Sequence, residues 1–182
     1  DTCATTKKIL TDISNISDMV NLEIINFYKY NNQCTELKID RIPAIVIGKS
    51  ERAIFYGMPS GYEFSTLVNS IINSSLDSQN LDKNLLKNLK SVQTPINIKV
   101  FVTPSCKYCP EIAELTLSLA MQFKTIKTEI IEIQEYPDLA NNYDISSVPL
   151  TIINDKIQLS GPISSYTLVE SIVKIDEETR IS

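Results

Sequence analysis

Ile96-Asn97-Ile98-Lys99-Val100-Phe101-Val102 alternates apolar and polar residues and then turns wholly apolar, the pattern of a strand entering a covered sheet. Thr103-Pro104-Ser105 stops it, and Cys106-Lys107-Tyr108-Cys109 follows at once. Residues 110–123 then place Ile112, Leu115, Leu119 and Phe123 at helical spacing. A second strand is expected over 128–133. Strand, helix and strand in this order require a parallel pair joined by a right-handed crossover. The remaining pattern predicts a short helix over 135–143, a strand at Leu150–Ile153, a tight turn at Asn154-Asp155 and a paired strand over 156–159. Gly161-Pro162 breaks the chain before an amphipathic helix over 166–175. The second half is therefore a mixed sheet flanked by helices.

The first half repeats this order without its opening strand. A helix is expected over 5–19, strands over 22–28, Ala44–Ile47 and Ala53–Tyr56, and a closing helix over 63–72. Cys3 and Cys106, Pro43 and Pro149, and Gly57 and Gly161 recur at offsets of 103, 106 and 104 residues. Such near-constant spacing indicates a tandem duplication. Only two residues precede Cys3, so the sequence is expected to be a piece of a longer chain. The expected fold class is α/β, two tandem units each built on a mixed central sheet. Residues 1–75 form the first unit, 76–92 a connecting helix carrying Leu81, Leu85, Leu86 and Leu89, and 93–182 the catalytic unit.

The chemistry is expected at Cys106 and Cys109. Two cysteines three apart at a helix start can form a disulfide. The first lies at the positive end of the helix dipole, beside unsatisfied backbone N–H groups, which favours the thiolate that attacks disulfides. Pro110 suits the first helical turn, and Lys107 adds positive charge. Cys106 is expected to attack and Cys109 to resolve the mixed disulfide. A zinc half-site and a purely structural disulfide are the bland readings of the same pair. The sequence contains no histidine, which removes Cys–His nucleophile pairs and leaves a zinc site short of ligands. A net charge of −5 gives no basic footprint for nucleic acid, and no apolar run is long enough to span a membrane. Any carboxylate that assists the cysteines is not identifiable from the sequence.

Thr103-Pro104-Ser105-Cys106-Lys107-Tyr108-Cys109-Pro110, followed by Ser147-Val148-Pro149, resembles the thioredoxin superfamily, and the Cys-x-Tyr-Cys form is similar to glutaredoxins. With Phe55-Tyr56-Gly57-Met58-Pro59 and Glu63-Phe64 in the first half, the layout resembles the two-unit protein disulfide oxidoreductases of thermophilic archaea and bacteria. The resemblance implies a cis bond at Val148-Pro149 and another at Ile42-Pro43. It implies that Lys107, Tyr108, Val148 and Pro149 contact substrate. It also implies a cytoplasmic location, no cofactor beyond the redox disulfide, and electrons from a thioredoxin-reductase-like flavoenzyme. The implied partners are protein disulfides, peroxiredoxins among them. Where the family repeats its CxxC, the first half reads Cys3-Ala4-Thr5-Thr6, so the corner of Cys3 and Pro43 is expected to be vestigial. Cys34 reads as a packing residue. Two other functions fit the pattern: a relay module dedicated to one partner such as a peroxiredoxin, and a non-catalytic peptide-binding module.

Overall fold

The structure, a computed structural model, describes residues 1–75 and 82–181. Six strands are present among them: β1 (Ala44–Ile47), β2 (Ala53–Tyr56), β3 (Ile96–Val102), β4 (Ile126–Glu132), β5 (Leu150–Ile153) and β6 (Ile157–Ser160). The helices are α1 (Thr2–Ile16), α2 (Asn31–Glu36), α3 (Tyr62–Asn73), α4 (Lys83–Lys90), α5 (Cys109–Gln122), α6 (Pro137–Asn142) and α7 (Ser165–Ile181). A 3-10 turn, Ile133–Glu135, follows β4.

All six strands belong to one sheet, in the order β1-β2-β4-β3-β5-β6. The expected βαβ unit is there: β3 and β4 pair in parallel, with α5 as the crossover. β5 pairs antiparallel with β3 and with β6. The two halves do not build separate sheets, contrary to the expectation of one sheet per unit. β2 lies parallel to β4, with Phe55 opposite Ile130, and this pairing joins the first half to the second.

The strand alternation sorts residues to the two faces of the sheet. Ile96, Ile98, Val100 and Val102 point to a large core shared with Phe55, Leu67, Ile112, Leu119 and Leu168. Ile54, Tyr56, Phe101, Ile131 and Ile152 point the other way, toward Tyr136 and Leu139. The hairpin turn falls where expected, with Asn154 and Asp155 both at positive φ (50° and 54°). At the start of β3, the carboxylate of Asp176 on α7 accepts from the N–H groups of Gln93 (2.9 Å) and Thr94 (2.8 Å). This anchors the strand that leads into Cys106.

Residues 22–28 are not a strand. The side chain of Asn26 accepts from the N–H groups of Tyr28 (3.1 Å) and Lys29 (3.0 Å), and this turn interrupts the alternating segment. α1 starts earlier than expected because the carboxylate of Asp1 caps it, accepting from Cys3 N–H (3.0 Å). The short α2 carries no periodic signal that would announce it. Of the expected connecting helix, residues 76–81 lie outside the described residues. The remainder is α4, whose Leu85 and Leu89 are buried and which packs on α7. No helix among the described residues is long and apolar enough to cross a membrane.

Candidate functional site

β3 delivers the chain to the corner where the cysteines sit. After Val102 the backbone turns, and Cys106 N–H donates to Thr103 O (3.1 Å). Cys109 is the first residue of α5, with Pro110 beside it in the first turn, where its missing N–H leaves no bond unmade. Cys106 and Cys109 are joined in a disulfide, with Cα atoms 5.5 Å apart. The two sulfurs differ in access: Cys106 is partly exposed, and Cys109 is fully buried (0%). That asymmetry separates a residue that a substrate can reach from one that only Cys106 can reach.

Pro149 lies across from this corner. β5 begins at Leu150, which pairs with Phe101, so the residue before it falls beside the end of β3. The Val148-Pro149 bond is cis, and Val148 packs against the same core cluster as Cys106. Pro149 O accepts from Gly161 N–H (2.8 Å). Tyr108 is 54% exposed, and the Lys107 ammonium stands 4.8 Å from the centre of its ring. Cys106, Cys109, Val148 and Pro149 are thus brought together at one end of the sheet, with Lys107 and Tyr108 at the rim.

The first half reproduces part of this arrangement. Ile42-Pro43 is also cis, and Pro43 O accepts from Gly57 N–H (2.9 Å), as Pro149 O does from Gly161. The Tyr136 hydroxyl also donates to Pro43 O (3.3 Å). Cys3 is the second residue of α1 and is partly exposed. The resolving position is Thr6, which is buried. Cys34 is a buried free thiol on α2.

A carboxylate that the sequence did not reveal stands at the junction of the halves. Glu63, in the first turn of α3, is fully buried (0%), and neither of its carboxyl oxygens has a hydrogen-bond partner among the described residues. Burial pushes its carboxyl up to about 7; the nearby Thr66 hydroxyl offsets part of this, and the charges of Glu114 on α5 and Glu132 at the end of β4 add to it. Glu114 and Glu132 are themselves raised by burial. Glu63 is thus wedged among α3, the early turns of α5 and the end of β4, the side of the sheet that carries the cysteines. The signal that could have found it is an acid on the apolar face of a helix, in register with Leu67 and Ser70.

The loop before α3 holds this junction closed. Tyr62 N–H donates to Pro104 O (3.0 Å), two residues before Cys106. The approach needs Gly61, which has φ +58° and whose Cβ would fall 2.2 Å from the Pro104 carbonyl oxygen. Gly61→Ala is expected to lower stability by about 1–3 kcal/mol and to loosen the cysteine loop. Urea unfolding of the oxidised protein checks this; an unchanged midpoint would mean that the loop yields freely.

The thioredoxin domain family matches residues 96–174. The chain is 30% identical to a thioredoxin of Methanocaldococcus jannaschii over 80 residues, which is 43% of this chain and 94% of that protein. It is 23% identical over 173 residues to the AhpF component of the Escherichia coli alkyl hydroperoxide reductase, covering 93% of this chain but only 31% of that longer protein. Among solved structures, AhpF of the Enterococcus faecalis alkyl hydroperoxide reductase superposes with a TM-score of 0.87 at 23% identity, over 94% of this chain and 84% of that one. A protein disulfide oxidoreductase from Aeropyrum pernix gives 0.80 at 23% identity, over 98% and 82%. These two likenesses are of fold. The match across nearly the whole of a thioredoxin reaches further: the chain belongs to the thioredoxin family.

Proposed function

We propose that this chain is a thiol–disulfide oxidoreductase in which Cys106 attacks the substrate disulfide and Cys109 resolves the intermediate. One observation carries this reading: the two cysteines are bonded at the head of α5, one reachable from solvent and one buried. The helix N-terminus stabilises the Cys106 thiolate. Tyr108 and Lys107 form the rim against which a substrate rests, and Val148-Pro149 presents the backbone at the start of β5 to an extended peptide. Glu63, held near neutrality by burial, accepts the proton of the Cys109 thiol so that its thiolate can resolve the mixed disulfide.

We read the chain as two thioredoxin-like units fused through β2 and β4, the second catalytic and the first vestigial. Repetition of the cis proline and of its bond to a glycine supports the duplication. Thr6 in place of a resolving cysteine supports the loss of a dithiol cycle from the first unit. The likeness to the AhpF component of alkyl hydroperoxide reductases favours one setting over general disulfide reduction: relay of electrons from a flavoenzyme to a peroxide-reducing thiol protein in the cytoplasm.

The reduction potential of the Cys106–Cys109 pair and the rate of insulin reduction with dithiothreitol test this together. A potential near about −270 mV with insulin turnover above background is expected of a reductant, whereas one well above about −200 mV assigns an oxidant or isomerase. Failure of the two sulfurs to exchange with dithiothreitol at all would overturn the reading.

A further inference from the structure

Tyr62 opens α3, and its backbone is fixed at both polar groups. Its N–H donates to Pro104 O (3.0 Å), and Ser65 Oγ donates to its carbonyl (2.6 Å). Gly61 before it has φ +58° and no room for a Cβ, which would fall 2.2 Å from the same Pro104 oxygen. The head of α3 is therefore held against the loop that leads to Cys106. From there α3 and α5 run side by side in the same sense. Asn69 Nδ2 donates to Glu114 Oε1 (2.9 Å) further along, and Ser74 and Met121 at the far ends both border Gly48, 3.2 and 3.3 Å from where its Cβ would stand. Tyr62, Thr66 and Asn69 recur at spacings of four and three, so Tyr62 lies on the side of α3 that faces α5. A helical side chain also leans toward the N-terminal end of its helix, here the end that carries the cysteines. Tyr62 is 51% exposed, much as Tyr108 is.

β2, β4 and β3 are parallel, so the chain leaves all three at one end of the sheet, and the antiparallel β5 begins at that end. The order β2-β4-β3-β5 then places Pro149 on one flank of the Cys106 corner and the head of α3 on the other. Three strand spacings separate β2 from β5, about 14 Å, which four or five extended residues cover. We propose that Tyr62 is a substrate-contacting residue contributed by the first half: an extended polypeptide carrying the disulfide lies from Val148-Pro149 across Cys106 and rests an apolar side chain on the Tyr62 ring.

The inference rests on the reading of Cys106 as the residue that attacks a substrate disulfide, and it gives the first half a part in choosing that substrate. A tyrosine ring supplies a large contact area with few rotatable bonds. With its backbone already held at both groups, little freedom is lost in ordering it when a peptide arrives. Rings of this kind, buried on a partner, are the contacts whose truncation costs most. A disulfide with only short arms on its sulfurs reaches Cys106 without reaching Tyr62. The site therefore prefers polypeptide disulfides to small ones.

The test compares two oxidants of the reduced full chain, insulin and bis(2-hydroxyethyl) disulfide, by their second-order rate constants, read by alkylation quench and mass spectrometry. Tyr62→Ser is expected to lower the ratio of the insulin rate constant to the small-disulfide one about tenfold. Tyr62→Phe, which keeps the ring, should hold the parent ratio. So should Phe64→Ser, which removes an exposed ring from the same turn, about 200° round the helix axis. Should the serine variant fail to fold, Tyr62→Gln decides by the same ratio. A parent ratio in Tyr62→Ser, whether the two rates stand or fall together, would overturn the contact and leave the dithiol chemistry in place. A ratio that falls as far in Phe64→Ser would overturn it too, since any apolar surface on that turn would then serve. A parent that reacts with neither disulfide would overturn the function on which the contact depends.

Discussion

Cys109→Ser, mixed in reduced form with a protein disulfide, is expected to accumulate as a covalent adduct through Cys106, while Cys106→Ser turns over no faster than the uncatalysed background. The asymmetry follows from burial. A protein disulfide can approach the partly exposed Cys106 but not Cys109, which has no accessible surface. Attack by the Cys106 thiolate forms one S–S bond to the substrate and expels the substrate's other sulfur as a thiolate. In the proposed cycle, Cys109 of the parent then attacks the Cys106 sulfur, forms the disulfide and releases the rest of the substrate. A serine hydroxyl is too weak a nucleophile at neutral pH to take that step, so the adduct persists. Mass spectrometry after quenching with an alkylating agent reads the adduct directly. Equal trapping by Cys106→Ser would reverse the two roles. Rapid release from Cys109→Ser would mean that another thiol resolves, and Cys3 is the partly exposed alternative.

Much of this corner is legible in the sequence because its parts are local. The strand over Ile96–Val102, the break at Thr103-Pro104-Ser105 and the proline in the first turn of α5 each announce themselves within a few residues. The hairpin at Asn154-Asp155 is legible for the same reason, since those residue types tolerate the positive φ that the turn imposes. Residues 22–28 mark the limit of local pattern. Their alternation satisfies the local rule, yet a strand also needs a neighbour to pair with, and Asn26 supplies a competing turn. The parallel pairing of β2 with β4 is also invisible, because apolar runs such as Ala53–Tyr56 and Ile126–Glu132 say that they are covered, not by what. Glu63 escapes a sequence reading as a consequence. It is a feature of the junction, meaningful only once α3 is laid against α5 and the end of β4.

Glu63 also sets an expectation for stability that is independent of catalysis. Its carboxyl lies at about 7 in the folded protein, against an ordinary value of 4.5. The folded state therefore binds a proton that the unfolded chain has already released between those two values. Stability falls with rising pH wherever the native state binds more protons. The contribution of Glu63 is fully present below about pH 4.5, declines as pH rises through about 7 and stays lost above it. A difference of this size corresponds to roughly 3 kcal/mol, at 1.36 kcal/mol for each pH unit. Glu63→Gln keeps the shape without the ionisation, so the part of the slope that comes from Glu63 should vanish, and its unfolding free energy should exceed that of the parent by up to about 3 kcal/mol at pH 8. Urea unfolding of both proteins in the oxidised state, at several pH values from 4.5 to 8, makes the comparison with the cysteines silent. Parallel curves would show that Glu63 ionises in the native protein as it does in the unfolded chain, and its place as a proton acceptor would fall with that result. A variant that gains stability at pH 8 while losing turnover would show the opposite: a buried acid kept near neutrality at a cost in stability, where the dithiol needs it.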